Sequence, residues 1–348
     1  MRVCIFGAGA IGGYMAVELA CAGHEVSIIA RGAHLRAILE RGLRLRIEGC
    51  EKVARPAASD DPRTFGPQEV VICALKAHQA HESAPAFASL LGRETAVLTA
   101  MNGIPWWYFH KAGGAFEGRR LQSVDPGGRQ WAAIGPERVI GCVVEPACEV
   151  VEPGVVVHHK FKRFILGEPD AVRSARVERL SAALTDAGFE APIRNDIRRD
   201  IWLKLWGNVC FHPISALTRA TIDAIVRDPG LRALCRAMML EAQTVSEALG
   251  VKIPDEMIDR RLEAAGSIGA HKMSMLQDLE RGRSLEIGAL VAAVQELGRL
   301  TQLPTPMIDA VLALVQECGR SAGLYVPLGD AHDSARPEVS TPPVRVLA

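Results

Sequence analysis

An α/β domain built on a parallel, helix-covered sheet, followed by an all-α domain, is the fold class this sequence predicts. Three observations carry the prediction. Apolar, strand-like runs alternate with helix-compatible stretches through the first half of the chain. A glycine turn, Gly7-Ala8-Gly9-Ala10-Ile11-Gly12, joins the first strand to the first helix. After about residue 195 strand signals nearly vanish, and long helical patterns punctuated by Gly250, Pro254, Gly282, Pro304 and Pro306 take over. With 348 residues two domains are the natural expectation. The boundaries are placed at 1–195 and 196–321. The segment 322–348, rich in Pro, Asp and Ser, is expected to be disordered.

Taken in order, residues 2–6 form a short apolar strand. The glycine turn opens a helix that runs to about residue 22 and is ended by Gly23, and residues 25–30 read as a second strand. Strand, glycine turn, helix and strand within about 30 residues make a βαβ crossover. Residues 70–75 and 96–100 read as further buried strands with a helix-compatible stretch between them. Residues 139–144, 155–158 and 163–167 read as later strands. Beyond the boundary, 196–211, 231–249, 258–280, 285–300 and 305–320 read as helices.

Composition excludes several function classes. Forty basic and forty acidic residues cancel, which removes the electrostatic argument for nucleic acid or an anionic membrane as partner. The nine cysteines form no C-x-x-C pair and no Cys/His cluster with metal-ligand spacing. They fit a reducing cytoplasm better than a disulfide scaffold, and no metal site is expected. The apolar start is broken by glycines and by Glu18, so the βαβ unit explains it better than a signal peptide does. No apolar run of about 18 residues exists, so no transmembrane helix is expected.

The glycine turn is a weak signal alone and a strong one between a strand and a helix. Gly7 permits the tight turn, Gly9 lets the backbone approach a pyrophosphate, and Gly12 lets the helix pack on the strand. The free N–H groups of the helix start, with Ala8, Ala10 and Ile11 in the same turn, complete a Rossmann-type dinucleotide site. An NAD site usually has Asp or Glu at the end of the second strand. Here the strand ends Ile28-Ile29-Ala30-Arg31. Arg31 is placed to pair with a 2′-phosphate, so the expected cofactor is NADP(H).

In Trp202-Leu203-Lys204-Leu205-Trp206-Gly207-Asn208, Lys204, Asn208 and His212 are spaced four apart and share one helix face. That polar face on an apolar helix suits a site lining. Spacing alone leaves open a lysine that snorkels and an asparagine that caps.

These motifs, in order, resemble the ketopantoate reductase (2-dehydropantoate 2-reductase) family. The resemblance runs from residue 1 to about 320. It is carried by Gly7 to Gly12, Leu75-Lys76-Ala77, Asn102-Gly103, Trp202-x-Lys204-x-x-x-Asn208, Ser274-Met275-Leu276-Gln277-Asp278, and Glu286 twelve residues after Ser274. It implies a helical domain of the 6-phosphogluconate dehydrogenase C-terminal type. It also implies hydride transfer from NADPH to the C2 carbonyl of a small 2-oxo acid, ketopantoate to D-pantoate being the reference reaction on the route to pantothenate. By position, Lys204 matches the general acid and Glu286 a carboxylate near cofactor and lysine. Lys76 and Asn102 match cofactor contacts, and Asn102, Asn208 and Ser274 match polar groups around the substrate. Asp278 is expected to be structural.

Two positions depart from the family pattern. His212 stands where a second substrate-binding Asn is usual, and imidazole is larger and able to change charge near neutral pH. Gly288 replaces an Asp two residues after Glu286, at a cost of up to ~1 kcal/mol relative to Ala inside a helix. The run Trp106-Trp107-Tyr108-Phe109-His110 either packs as a helix against the sheet or shapes the pocket. These features keep open a paralogous reductase of another 2-oxo acid or carbonyl. A dehydrogenase of the 6-phosphogluconate type is disfavoured by the Ser274-to-Asp278 motif. A non-catalytic NADP-binding regulator is disfavoured because Lys204 and Glu286 are both kept. The helical domain has apolar surface enough for a homodimer, though no motif specifies one.

Overall fold

Two sheets organise the first half of the molecule. In a computed structural model, which describes residues 1–327, the chain begins β1 (Arg2–Phe6), α1 (Ala10–Cys21), β2 (Glu25–Ile29) and α2 (Gly32–Arg41). There follow β3 (Leu43–Ile47), β4 (Cys50–Ala54), β5 (Ala57–Ser59), β6 (Gln68–Cys73), α3 (Ala77–Ser83) and β7 (Leu91–Thr99). Then come α4 (Arg129–Ile134), β8 (Val139–Val144), β9 (Ala147–Glu152), β10 (Val155–Lys160), β11 (Phe164–Gly167) and α5 (Ala175–Asp186).

Seven strands form the main sheet in the order β11-β8-β7-β6-β1-β2-β5. All neighbours are parallel except the edge strand β11, which runs antiparallel to β8. The central strands are apolar throughout because both faces are covered. Cys4, Cys73 and Cys142 are buried among them as small hydrophobes.

The second sheet, in the order β4-β3-β10-β9, packs on α1. It explains why α1 is buried along most of its length. At Gly13 a Cβ would stand 2.7 Å from Val156, so the helix and this sheet meet at a glycine. The alternation Leu43-Arg44-Leu45-Arg46-Ile47 was a legible strand signal. Of this sheet only β10 was expected, from residues 155–158; β3, β4 and β9 were not.

The helices that follow are α6 (Ile197–Thr218), α7 (Ile222–Arg227), α8 (Pro229–Ala248), α9 (Glu256–Ser267) and α10 (Ser274–Glu280). A π-helical turn over Gly288–Ala292 leads into α11 (Ala293–Leu300), and α12 (Pro306–Ser321) closes the described chain.

Three expectations are corrected. The helix expected to stop at residue 211 runs on to Thr218 through Pro213. Proline withholds one N–H and crowds the preceding turn, but Phe211, Ile214, Ser215 and Ala216 are buried there, and packing outweighs propensity. The single helix expected over 258–280 is two, broken between α9 and α10, where Gly269 has φ +86°. The segment expected to be disordered from 322 begins packed. The amide of Leu285 donates to the Leu324 carbonyl at 2.9 Å, and Tyr325 rests on Gly319. Its remainder, from residue 328, lies outside the described residues. Among the described residues no helix is long and apolar enough to cross a membrane.

Candidate active site

A cleft of about 1030 Å3 lies between the carboxyl ends of β1, β2, β6, β7 and β8 and the helices α6 and α10. It opens at the reversal of strand order between β1 and β6, where open α/β sheets bind their ligands.

The glycine turn forms one wall. Gly7 has φ +102°, and a Cβ there would meet Leu75 at 2.7 Å. Gly12 is the tightest point of the turn, since a Cβ would stand 2.0 Å from the Gly7 carbonyl oxygen. At Gly9 a Cβ would meet nothing within 4 Å, so this position faces open cleft. Ala8, Ala10 and Ile11 line the same wall. At the far end Arg31 precedes α2 and donates from Nη2 to Ser83 Oγ at 3.3 Å.

The opposite wall comes from the helical half. Lys204 Nζ donates to Asn102 Oδ1 at 2.5 Å and to the Val144 carbonyl. Thus the ends of β7 and β8 grip an ammonium delivered by α6. Burial, the largest influence, and Arg261 push its pKa down to about 8, while Cys142, Glu145 and Glu286 act the other way. Glu286 sits just ahead of the π-helical turn, and its Oε1 accepts from the Ala77 amide at 3.3 Å. Burial raises its pKa, against the lowering influences of Lys76, the Ala77 amide and Lys204.

Lys76 follows β6 and lines the cleft, with its ammonium turned to the helical half. It pairs with Asp278 Oδ2 at 2.7 Å and donates to the Ser284 carbonyl at 2.8 Å. Asp278, expected to be structural, thus anchors Lys76 and also lines the cleft. Asn208 is buried yet lines the cleft, and its amide makes no hydrogen bond among the described residues. Ser274, the first residue of α10, lies 3.3 Å from His212 Nδ1.

His212 requires a correction. The sequence suggested an imidazole able to charge near neutral pH. Burial, with Lys204 and His271 adding repulsion, pushes its pKa down to about 3, so it stays neutral.

The aromatic run packs in the core, but not as the expected helix. Residues 106–110 form turns rather than a helix. Tyr108 OH accepts from Trp202 Nε1 at 2.7 Å, and Trp107 Nε1 donates to Thr99 Oγ1 at 2.9 Å. Trp106 and Trp107 are buried in the core, yet they border a cavity of about 20 Å3 that also touches Asn102, Lys204 and Asn208. That volume suits about one water.

Gly288 has a reason that the sequence did not carry. A Cβ there would stand 2.7 Å from the Ser123 carbonyl oxygen. Beside it, Gly103 has φ +88° and lies against Ala289, whose carbonyl accepts from the Ile104 amide at 2.9 Å. Glu296 then accepts from the amides of Gln122 and Ser123 at 2.8 Å each. The loop carrying Asn102 and the turn behind Glu286 are thereby fastened together. Glu296 carries no signal in the sequence, because no local pattern marks a carboxylate that binds amides more than 170 residues away.

Known proteins share this architecture. The family described as ketopantoate reductase PanE/ApbA matches residues 3–171, and its C-terminal counterpart matches 196–318. A protein from Mesorhizobium japonicum named 2-dehydropantoate 2-reductase is 57% identical over 311 residues, covering 89% of this chain and 95% of its own length. A crystal structure from Ralstonia solanacearum, described as a candidate ketopantoate reductase, is 43% identical with a TM-score of 0.89. It covers 93% of this chain and 99% of that one. The structure of 2-dehydropantoate 2-reductase from Geobacter metallireducens is 28% identical with a TM-score of 0.79, over 91% of this chain and 99% of that one.

Proposed function

The chain belongs to the ketopantoate reductase family, and on that footing we propose that it reduces 2-dehydropantoate to D-pantoate with NADPH. The observation that carries the reading is the ammonium of Lys204, held in the cleft by Asn102 and the Val144 carbonyl opposite the glycine turn.

The residues fit the cofactor. The open space at Gly9 and the helix start behind it suit a pyrophosphate. Arg31, with no carboxylate at the end of β2, suits a 2′-phosphate. Lys76 and Asn102 border the same space. When bound there, NADPH supplies the hydride for C2 of the 2-oxo acid.

The chain's own residues do the rest. An ammonium has three protons, and two are engaged by Asn102 and Val144. The third serves the oxygen at C2 as negative charge develops on it. A pKa near 8 makes the transfer easier than from an ordinary lysine. Glu286 puts a carboxyl behind the lysine, fixed on the Ala77 amide. Asn208, Ser274 and His212 border the substrate, and Asn208 offers it an uncommitted amide. The division at 195/196 separates a domain that holds nucleotide from one that delivers the acid. The enzyme acts in the cytoplasm, a reading supported by nine cysteines without disulfide-framework spacing.

A second reading, reduction of a different 2-oxo acid, is favoured by one observation. A neutral, buried imidazole at His212 bonds Ser274 where the family has an amide. The test is NADPH oxidation followed at 340 nm, with ketopantoate beside a panel of other 2-oxo acids. Preferred turnover of ketopantoate supports the first reading. Preference for another acid transfers support to the second, and no turnover despite NADPH binding overturns both.

A further inference from the structure

The turn of helix that carries the acid is itself held from outside the cleft. Arg261, on α9, donates from Nη2 to the main-chain carbonyl of Lys204 at 3.3 Å. Its Nε and Nη2 stand 3.0 Å from the point a Cβ of Gly207 would occupy, so the guanidinium lies in a notch that glycine leaves open. Among the described residues Arg261 has no ion-pair partner, and burial pushes its pKa down. Glu145 acts on it from a distance, but among the described residues no carboxylate touches it, and holding a largely buried guanidinium without a contacting carboxylate is costly.

We propose that Arg261 is a positioning residue for the reduction. It fixes the turn of α6 from Lys204 to Asn208 and keeps a second positive charge behind the acid, which favours release of the proton. The proposal rests on the reading of Lys204 as acid.

The groups that act on Lys204 come from several elements. Cys142 belongs to β8 and Glu145 follows it, Arg261 comes from α9, Glu286 precedes the π-helical turn, and His212 shares α6. Cys142, Glu145 and Glu286 favour the ammonium, and His212 is held neutral. Arg261 is the cation that opposes it.

The experiment uses the full chain and two readouts. Trace acetylation of Lys204 by acetic anhydride, quantified by mass spectrometry across the alkaline range, reports its basicity without turnover. The pH dependence of kcat reports it through catalysis. Arg261→Gln keeps a donor for the Lys204 carbonyl and removes the charge. It is expected to raise the midpoint of labelling and the alkaline limb of kcat by about one pH unit. Arg261→Lys, which keeps the charge, is expected to leave both near the native values. Gly207→Ala, which displaces the guanidinium, is expected to move them upward by less, and it serves if Arg261→Gln does not fold. An unchanged labelling midpoint in a folded, NADPH-binding Arg261→Gln or Gly207→Ala variant overturns the proposal. Failure of the underlying reading is separate: Lys204→Ala would then keep its turnover, while labelling of Lys204 would still test Arg261.

Discussion

Lys204 shows how much a single side chain owes to its surroundings. Helix spacing brought it, Asn208 and His212 to one face, and the resemblance marked it as the acid. Neither conveyed that its ammonium is held by Asn102 and the Val144 carbonyl, or that burial lowers its pKa to about 8. As the proposed acid, Lys204 must be protonated, so kcat is expected to be full below about pH 8 and to fall above it. Lys204→Ala should lower kcat by at least ~10²-fold with NADPH affinity little changed. Near-normal steady-state kcat in that variant would remove Lys204 from its role. His212 is the opposite lesson. Its residue type suggested a group titrating near neutrality, but burial beside Lys204 holds it neutral.

Among the elements, the π-helical turn at Gly288–Ala292 departs most from sequence rules. Helix propensity alone says that Gly288→Ala should stabilise by up to ~1 kcal/mol. The Ser123 carbonyl, 2.7 Å from the new Cβ, reverses the sign. Gly288→Ala is expected to destabilise by ~1–3 kcal/mol in urea unfolding, as other overpacked sites do. A stabilised variant would mean that the loop yields easily. The main strands and the glycine turn were legible because a buried parallel strand is an apolar run and a βαβ turn has few solutions. The long α6 and the break after α9 were not, because burial and a single glycine conformation decided them against local preference.

Across the whole molecule, the two halves meet over the cleft through polar contacts. Lys76 with Asp278 and Ser284, Glu286 with the Ala77 amide, and Arg281 with Glu149 all span it. A ligand bound in the cleft of the folded state stabilises the fold by mass action. NADPH at 100 times its Kd should add ~2.7 kcal/mol, seen as a raised Tm. NADH at the same concentration should add less. Arg31→Ala should erase most of that difference, and an equal loss for both nucleotides would sink the 2′-phosphate assignment.

The order of elements, the nucleotide turn, the absence of a carboxylate after β2 and the shared helix face of Lys204, Asn208 and His212 were written in local residue patterns. They could be read because each depends on spacing along one element or on one turn. The second sheet over α1, the neutral state of His212, the need for glycine at 288, the grip of Glu296 and the guanidinium of Arg261 beneath Lys204 came from folding. Each joins residues far apart in the chain, and burial, close approach and Coulomb interaction act through space, where sequence spacing carries no signal.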